Sequence, residues 1–221
     1  MRIFLLVLPF VFSSCLVAHY TRIGSSQLVQ NDKSNFVFEN DTLRVVYNFN
    51  GSGGPLKISI ENKSRHSLQV DWKKSALIME GNVASYYRPA AAVNGNLVSA
   101  GSGVHSINGL VTGEESIQFL PPGSVISKRP GRIGGISADN KALFKQPWIS
   151  EGKGYRRLKY KELNYPEPES PLKFRSFITI LTGEGNETTL DHSFYISSRI
   201  AYMNREMVPD HIRNAGNTYA Q

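Results

Sequence analysis

The sequence contains a single cysteine, Cys15, among its 221 residues. One thiol excludes an intrachain disulfide, and it also excludes a metal site built from several thiolates. A chain of this length can bury a core without a cross-link. The protein must therefore be held together by packing, and its 40% hydrophobic and 10% aromatic residues are sufficient for a packed core.

Motifs for catalysis and for cofactor binding are also missing. There is no Gly-x-Ser-x-Gly nucleophile elbow and no phosphate-binding loop. The five histidines lie far apart in the chain, without the spacing of a zinc site: His19, His66, His105, His192 and His211. The sequence therefore predicts no cofactor, no metal and no catalytic residue, and His192, at the start of a predicted strand, is interpreted as structural.

No apolar run is long enough for a membrane-spanning helix, which needs about 20 residues. The longest run near the N-terminus covers residues 3–12, after Arg2 and before Ser13 and Ser14. A short positive region, an apolar stretch and small residues at its end are typical of a secretory signal peptide. We therefore predict export from the cytoplasm.

The cysteine stands where this signal should end. The segment Phe12-Ser13-Ser14-Cys15 resembles the lipobox of bacterial lipoproteins, although Phe12 replaces the usual Leu. The resemblance implies a diacylglycerol on the Cys15 sulfur, cleavage before Cys15 and a fatty acid such as palmitate on the new N-terminus. The alternative is an ordinary signal peptide with an incidental cysteine. The absence of acidic residues directly after Cys15 favours, by the same resemblance, a periplasm-facing lipoprotein of the bacterial cell envelope.

Strict alternation of apolar and polar residues follows. In each of three runs the apolar side chains share one face of a predicted strand: residues 43–49, 56–60 and 68–72. Turn-forming residues separate these runs, which is typical of an antiparallel meander. Further strands are predicted over 116–120, 172–180 and 194–202, and no segment has the period of a convincing amphipathic helix.

About seven short strands predict an all-β, antiparallel β-sandwich with long irregular loop insertions. The inward Trp72 resembles the core tryptophan of immunoglobulin-like domains, and the whole chain resembles uncharacterised bacterial lipoproteins with such a sandwich. We expect a signal peptide over 1–14, a tether over 15–35, the sandwich over 36–210 and a loose tail over 211–221. The insertions are expected at about 81–113 and 124–170.

Acidic residues are scarce in one stretch of this basic chain, whose net charge is +7. Residues 124–161 hold ten basic residues against two acids, a difference of +8. This segment is either a solvated set of loops or a patch for anionic lipid or glycan. The candidate residues for an anionic partner are Lys128, Arg129, Arg132, Arg156, Arg157, Lys159 and Lys161.

Two functions remain open from the sequence. The first is a non-enzymatic, membrane-anchored lipoprotein that binds or supports another envelope component. The second is a hydrolase acting on an envelope glycan or peptide, with a site built from the two insertions. Trp148 and Tyr160 among basic residues resemble a single-stranded nucleic-acid surface, but an exported protein has little access to nucleic acid, so no such partner is predicted.

Overall fold

Antiparallel β-strands form most of the protein. The computed structural model describes residues 17–88, 91–98, 104–111, 115–134, 140–152, 157–183 and 185–221. Strands are numbered in chain order. The first eight are β1 (Ala18–Gly24), β2 (Val29–Gln30), β3 (Phe36–Glu39), β4 (Leu43–Asn48), β5 (Pro55–Asn62), β6 (Leu68–Met79), β7 (Asn82–Ser85) and β8 (Ala91–Val98). The others are β9 (Val104–Val111), β10 (Ile117–Leu120), β11 (Val125–Arg132), β12 (Ile149–Glu151), β13 (Leu158–Asn164), β14 (Lys173–Thr182), β15 (Glu187–Tyr202) and β16 (Thr218–Ala220).

Helices are short in the described part of the chain. The α-helices are α1 (Asn140–Lys145) and α2 (Asp210–Arg213), and two 3-10 turns cover Glu167–Glu169 and Arg205–Met207. The all-β class predicted from alternation is therefore confirmed. None of the helices in the described residues has the length and hydropathy that a bilayer crossing requires.

The strands form three sheets within the described residues. The largest has the order β10-β6-β14-β15-β1-β16, with β7 beside β6 and the pair β12–β13 beside β15. The second has the order β11-β5-β4-β3-β2, and β8 pairs with β9 alone. Strand β15 organises the large sheet, because β14 pairs with its first half and β13 with its second half, while β1 lies along its other edge.

The alternating runs bury the faces that the sequence predicts. In β4 the side chains of Leu43, Val45 and Tyr47 are buried, and in β6 so are Val70 and Trp72. Side chains of successive residues point to opposite faces of a strand, so the residues between them lie on the other face, where Asp71 is buried as well. Buried residues from the five-stranded and the nine-stranded sheet join in one apolar cluster.

The predicted three-strand meander is wrong in its last step. β4 and β5 pair as expected, but β6 lies in the other sheet. Asn62, which is fully buried, ends β5 and donates from Nδ2 to the carbonyl oxygens of His66 (2.8 Å) and Leu120 (3.0 Å). The chain therefore crosses between sheets at residues 63–67. Alternation alone does not distinguish such a crossing from a hairpin, because both keep one buried face.

The predicted tether is also incorrect, because residues 18–24 form β1 inside the large sheet. β1 lies between β15 and β16. Thr21 is as buried as Ile23, so polar and apolar residues do not alternate clearly there. A strand covered on both faces lacks the period-2 signal that identifies a half-exposed strand.

The expected loose tail is a strand as well. β16 pairs with β1, and Tyr219 is fully buried. The last residue, Gln221, donates its backbone N–H to the carbonyl of His19 at 3.0 Å. A second, smaller cluster packs nearby, with α2 contributing Ile212, and its other members are Tyr20, Ile200, Tyr202 and Val208.

The two expected insertions are more regular than predicted. The first contains β7, which pairs with β6, and the hairpin of β8 and β9. The second contains β11, α1, β12 and β13. Backbone hydrogen bonds between strands make these segments regular, although their apolar and polar residues do not alternate clearly.

Candidate functional site

The basic segment is divided between two sheets. β11, which carries Lys128, Arg129 and Arg132, pairs with β5 at the edge of the five-stranded sheet. β13, which carries Lys159 and Lys161, pairs with β15 in the large sheet. Closeness in sequence therefore does not place these side chains on one strand or one sheet.

Lys128 lies inside the protein rather than on an open surface. Its side chain is buried, and Nζ lies 4.8 Å from the centre of the Trp72 ring. An ammonium over the face of an indole is attracted by the negative ring face. The ring of Trp72 is 1% exposed, as expected for a core residue, and its Nε1 donates to Oε1 of Gln118 at 3.1 Å. Lys128 thus helps to cover the core at this edge.

Lys161 is held in a similar way. Its Nζ donates to the carbonyl oxygen of Phe144 at the end of α1, and it lies 5.0 Å from the centre of the Trp148 ring. The side chain is buried. This lysine connects α1, the segment before β12 and the sheet, so its charge serves local structure.

The other candidates are exposed where they are described. Arg129, Arg132, Arg157 and Lys159 all have exposed side chains. Arg156 lies outside the described residues, as does Cys15. Among the described candidates, the exposed cations are thus one pair on β11 and a second pair formed by Arg157, directly before β13, and Lys159 within it.

Exposed apolar side chains cluster beside β13, a feature that the sequence analysis missed. Phe144, Trp148, Ile149 and Met203 are exposed, together with Val17, which precedes β1. They lie on four different segments, so no single stretch of sequence reveals them. The one available sign was Trp148, an aromatic residue among basic ones.

The acid–base groups in the core are structural. The ring Nδ1 of His192 lies 2.8 Å from the hydroxyl oxygen of Tyr47, and burial lowers the pKa of His192, although Asp191 acts in the opposite direction. Beside this pair, the hydroxyl of Tyr86 donates to Oγ of Ser176 at 2.8 Å. These groups satisfy one another between the sheets, in agreement with a structural role for His192.

His19 lies on β1 near the exposed apolar residues. Its ring is 6.1 Å from that of Phe144, in an edge-to-face arrangement. Burial lowers the pKa of His19, and the positive charge of Arg199 lowers it further. Among the residues that the structure describes, no three His, Cys, Asp or Glu side chains form a group suited to a metal ion.

Two surface clefts are candidates for small ligands. One of about 350 Å³ lies against Trp72 and is lined in part by Glu115, Lys128 and Arg129. The other, of about 540 Å³, lies near the C-terminal strand between Arg205 and Arg213. Two of the Arg213 partners are backbone carbonyls, those of Glu206 and Val208.

Comparison with known proteins adds no relative to this picture. No protein-family model, no curated protein and no solved structure matches the chain. The fold therefore defines only the class, an all-β protein of antiparallel sheets.

Proposed function

We propose that this protein is a lipid-anchored lipoprotein of the bacterial cell envelope with a non-enzymatic binding or supporting role, facing the periplasm. The anchor is the acylated Cys15, at the end of the lipobox-like Phe12-Ser13-Ser14-Cys15. Several acyl chains on one molecule give stable membrane attachment, because each buried CH₂ contributes about 0.8 kcal/mol.

The observation that carries this proposal is the position of β1. The strand begins at Ala18, three residues after Cys15. Three residues span at most about 11 Å when fully extended. An acyl anchor at Cys15 would therefore hold the first strand, and the sheet that contains it, directly at the membrane.

The anionic envelope partner belongs to the same proposal. The exposed cation Lys159 lies on the large sheet, which also contains β1, and Arg157 directly precedes the same strand. A basic residue near an anionic membrane surface contributes about 1 kcal/mol, within a Debye length of about 8 Å at physiological salt. Anionic lipid headgroups and phosphorylated glycans share this chemistry.

The architecture that we infer for this role is an immunoglobulin-like sandwich. Its support is the common cluster of buried residues from the two larger sheets, with Phe36 and Tyr47 from one and Trp72 and Phe194 from the other. Sheets that share one core in this way typically lie face to face, about 10 Å apart.

Metabolic labelling with a fatty-acid analogue tests the anchor. In a bacterium with a lipoprotein pathway, the wild type should incorporate label and lose residues 1–14 by cleavage, and Cys15→Ser should do neither. Ser14→Ala, which keeps a small residue beside the cysteine, is the matched control and should be labelled like the wild type. An unmodified Cys15 in mass spectra of the membrane-extracted wild type, or cleavage at another bond, would overturn the proposal.

A further inference from the structure

Five exposed apolar side chains lie near the end of the large sheet at which β1 begins. We call them the exit patch, and each is at least 37% exposed: Val17, Phe144, Trp148, Ile149 and Met203. Apolar side chains exposed singly are common, whereas a contiguous group usually marks a contact surface.

Strand register brings three of these residues to one end of the large sheet. Ala18 pairs with Tyr202, Tyr202 with Tyr160, and Tyr160 with Ile149. Val17 and Met203 flank this row in sequence. The backbone N–H of Met203 also donates to the carbonyl of Lys159 at 3.0 Å. Val17 and Met203 therefore lie side by side at the ends of β1 and β15. Ile149 lies two strands further along, on β12, with its side chain on the opposite face of the sheet.

The two aromatic members are held by contacts with the same strands. Trp148 lies under the ammonium of Lys161, at 5.0 Å. Phe144 lies in α1, accepts from Lys161 through its carbonyl oxygen, and packs edge-on against His19. Both rings are thus held in place by contacts within the protein, and both residues remain about half exposed.

Basic side chains surround the exit patch. Lys145 in α1 and both Arg157 and Lys159 at the start of β13 are exposed. The nearby carboxylate of Glu151 accepts a hydrogen bond from the hydroxyl of Tyr160 at 2.5 Å. Tryptophan and other apolar residues ringed by Lys and Arg are typical of protein surfaces that lie in the interface of an anionic membrane.

We propose that the exit patch inserts into the headgroup region of an anionic bilayer, so that the protein rests on the membrane through this end of the large sheet. The choice of a bilayer as partner rests on the proposed anchor at Cys15, which lies within about 11 Å of Ala18 along the chain. Each interfacial region of a bilayer is about 7 Å thick. A sheet end tethered this closely and bearing apolar and basic groups meets lipid before any other partner.

Vesicle binding by the unlipidated protein tests the patch separately from the anchor. A chain that starts at Leu16 keeps every described sheet and both buried clusters, since these lie after residue 16 in the part of the chain that the structure describes. It should co-sediment with phosphatidylcholine–phosphatidylglycerol vesicles at low salt, more weakly at physiological salt, and little with phosphatidylcholine alone.

Substitutions within and outside the patch locate the contact. Trp148→Ser should weaken partitioning about tenfold, the loss expected when one interfacial apolar contact of about 1.4 kcal/mol is removed. Val83→Ser is the matched control, because Val83 is 70% exposed on β7 and does not belong to the patch. Arg157→Gln with Lys159→Gln should reduce binding to anionic vesicles, whereas Arg129→Gln with Arg132→Gln, on the other sheet, should not.

Tryptophan fluorescence reports insertion directly, because the chain has only two tryptophans. Brominated lipids should quench the wild type and should leave Trp148→Phe unquenched, since its remaining Trp72 is buried in the core. Absence of vesicle binding at low salt, or equal loss from the β11 pair, would overturn the proposal. An unlabelled Cys15 would overturn the anchor instead, so the two failures are distinguishable.

Discussion

Trp72 and Trp148 show how the same residue type takes two roles in one chain. Trp72 is 1% exposed and lies under Lys128 in the core, whereas Trp148 is 43% exposed and lies beside Lys161. The strand period of β6 predicts the first position, because an inward residue on a half-buried strand belongs to the core. No periodic pattern surrounds Trp148, so its environment follows only from the packing of α1 and β13.

The first prediction at this scale concerns Trp72. Trp72→Ala should lower the free energy of unfolding by about 3–5 kcal/mol, because it removes buried apolar surface and leaves a cavity. Gln69→Ala, at an exposed position of the same strand, should change it by less than about 0.5 kcal/mol. Urea unfolding measures both. Equal effects would mean that the register of β6 is incorrect, since a one-residue shift exchanges the faces of a strand.

The second prediction concerns His192, whose pKa is lowered from 6.5 mainly by burial. Between its folded pKa and 6.5, the unfolded chain binds a proton that the folded chain excludes. Stability should therefore fall as the pH decreases below about 6.5 and should be fully present above it. Tyr47 and Ser176 face the ring, and Asp191 is the neighbouring acid.

Denaturant titrations between pH 5 and pH 7.5 check this effect. His192→Gln keeps a polar side chain beside Tyr47 and should flatten the dependence on pH. His19, whose pKa is lowered by burial and by Arg199, should account for part of the remaining slope. A variant with the same slope as the wild type would show that His192 does not contribute.

At the scale of elements, the terminal strands carry most of what the sequence did not predict. β1 and β16 are far apart in the sequence but pair with each other. Tyr20 lies opposite Ala220, and Arg22 lies opposite Thr218. Neither strand has an exposed polar face along its length, so the alternation that identified β4 and β5 is absent. The carbonyl of Ala220 also accepts from the N–H of Gly53 at 2.8 Å, which ties β16 to the turn after β4.

Removal of β16 is the prediction that belongs to this scale. Deletion of residues 218–221 should lower the free energy of unfolding by more than about 3 kcal/mol, because it removes the fully buried Tyr219 and leaves the edge of β1 unpaired. A smaller change, Gln221→Ala, removes the side-chain hydrogen bonds to Thr21 and from the guanidinium of Arg199 and should cost about 2 kcal/mol. If the deletion variant were as stable as the wild type, the expectation of a loose tail over 211–221 would be correct after all.

For the whole molecule, the buried residues form two clusters, a main core and a smaller one near the exit patch. The main cluster joins the two larger sheets, while the second joins Tyr20, Ile200 and Tyr202 with Val208 and Ile212. Ala18 and Tyr160, which belong to the row beside the exit patch, pack against this second cluster. This end of the large sheet is thus supported by its own apolar packing.

The distribution of the basic side chains over the surface and the interior is also visible only for the whole molecule. Residues 124–161 form one continuous basic stretch in the sequence. In the structure this stretch is divided among β11, α1, β12 and β13. Lys128 and Lys161 are buried against aromatic rings, while Arg129 and Arg132 lie on a different sheet from Arg157 and Lys159. A net charge of +8 in the sequence therefore does not amount to a single patch of that charge.

The sequence by itself determined the all-β class and the inward faces of β4, β5, β6, β14 and β15. These features depend on local alternation, which is imposed by the two faces of a strand. Tertiary structure alone decided that β6 crosses to the other sheet, that residues 18–24 and 218–220 are strands, and that Phe144, Trp148 and Met203 share one surface. Such features depend on hydrogen bonds and packing between distant segments, such as that between Gln221 and His19, and no local pattern encodes those partners.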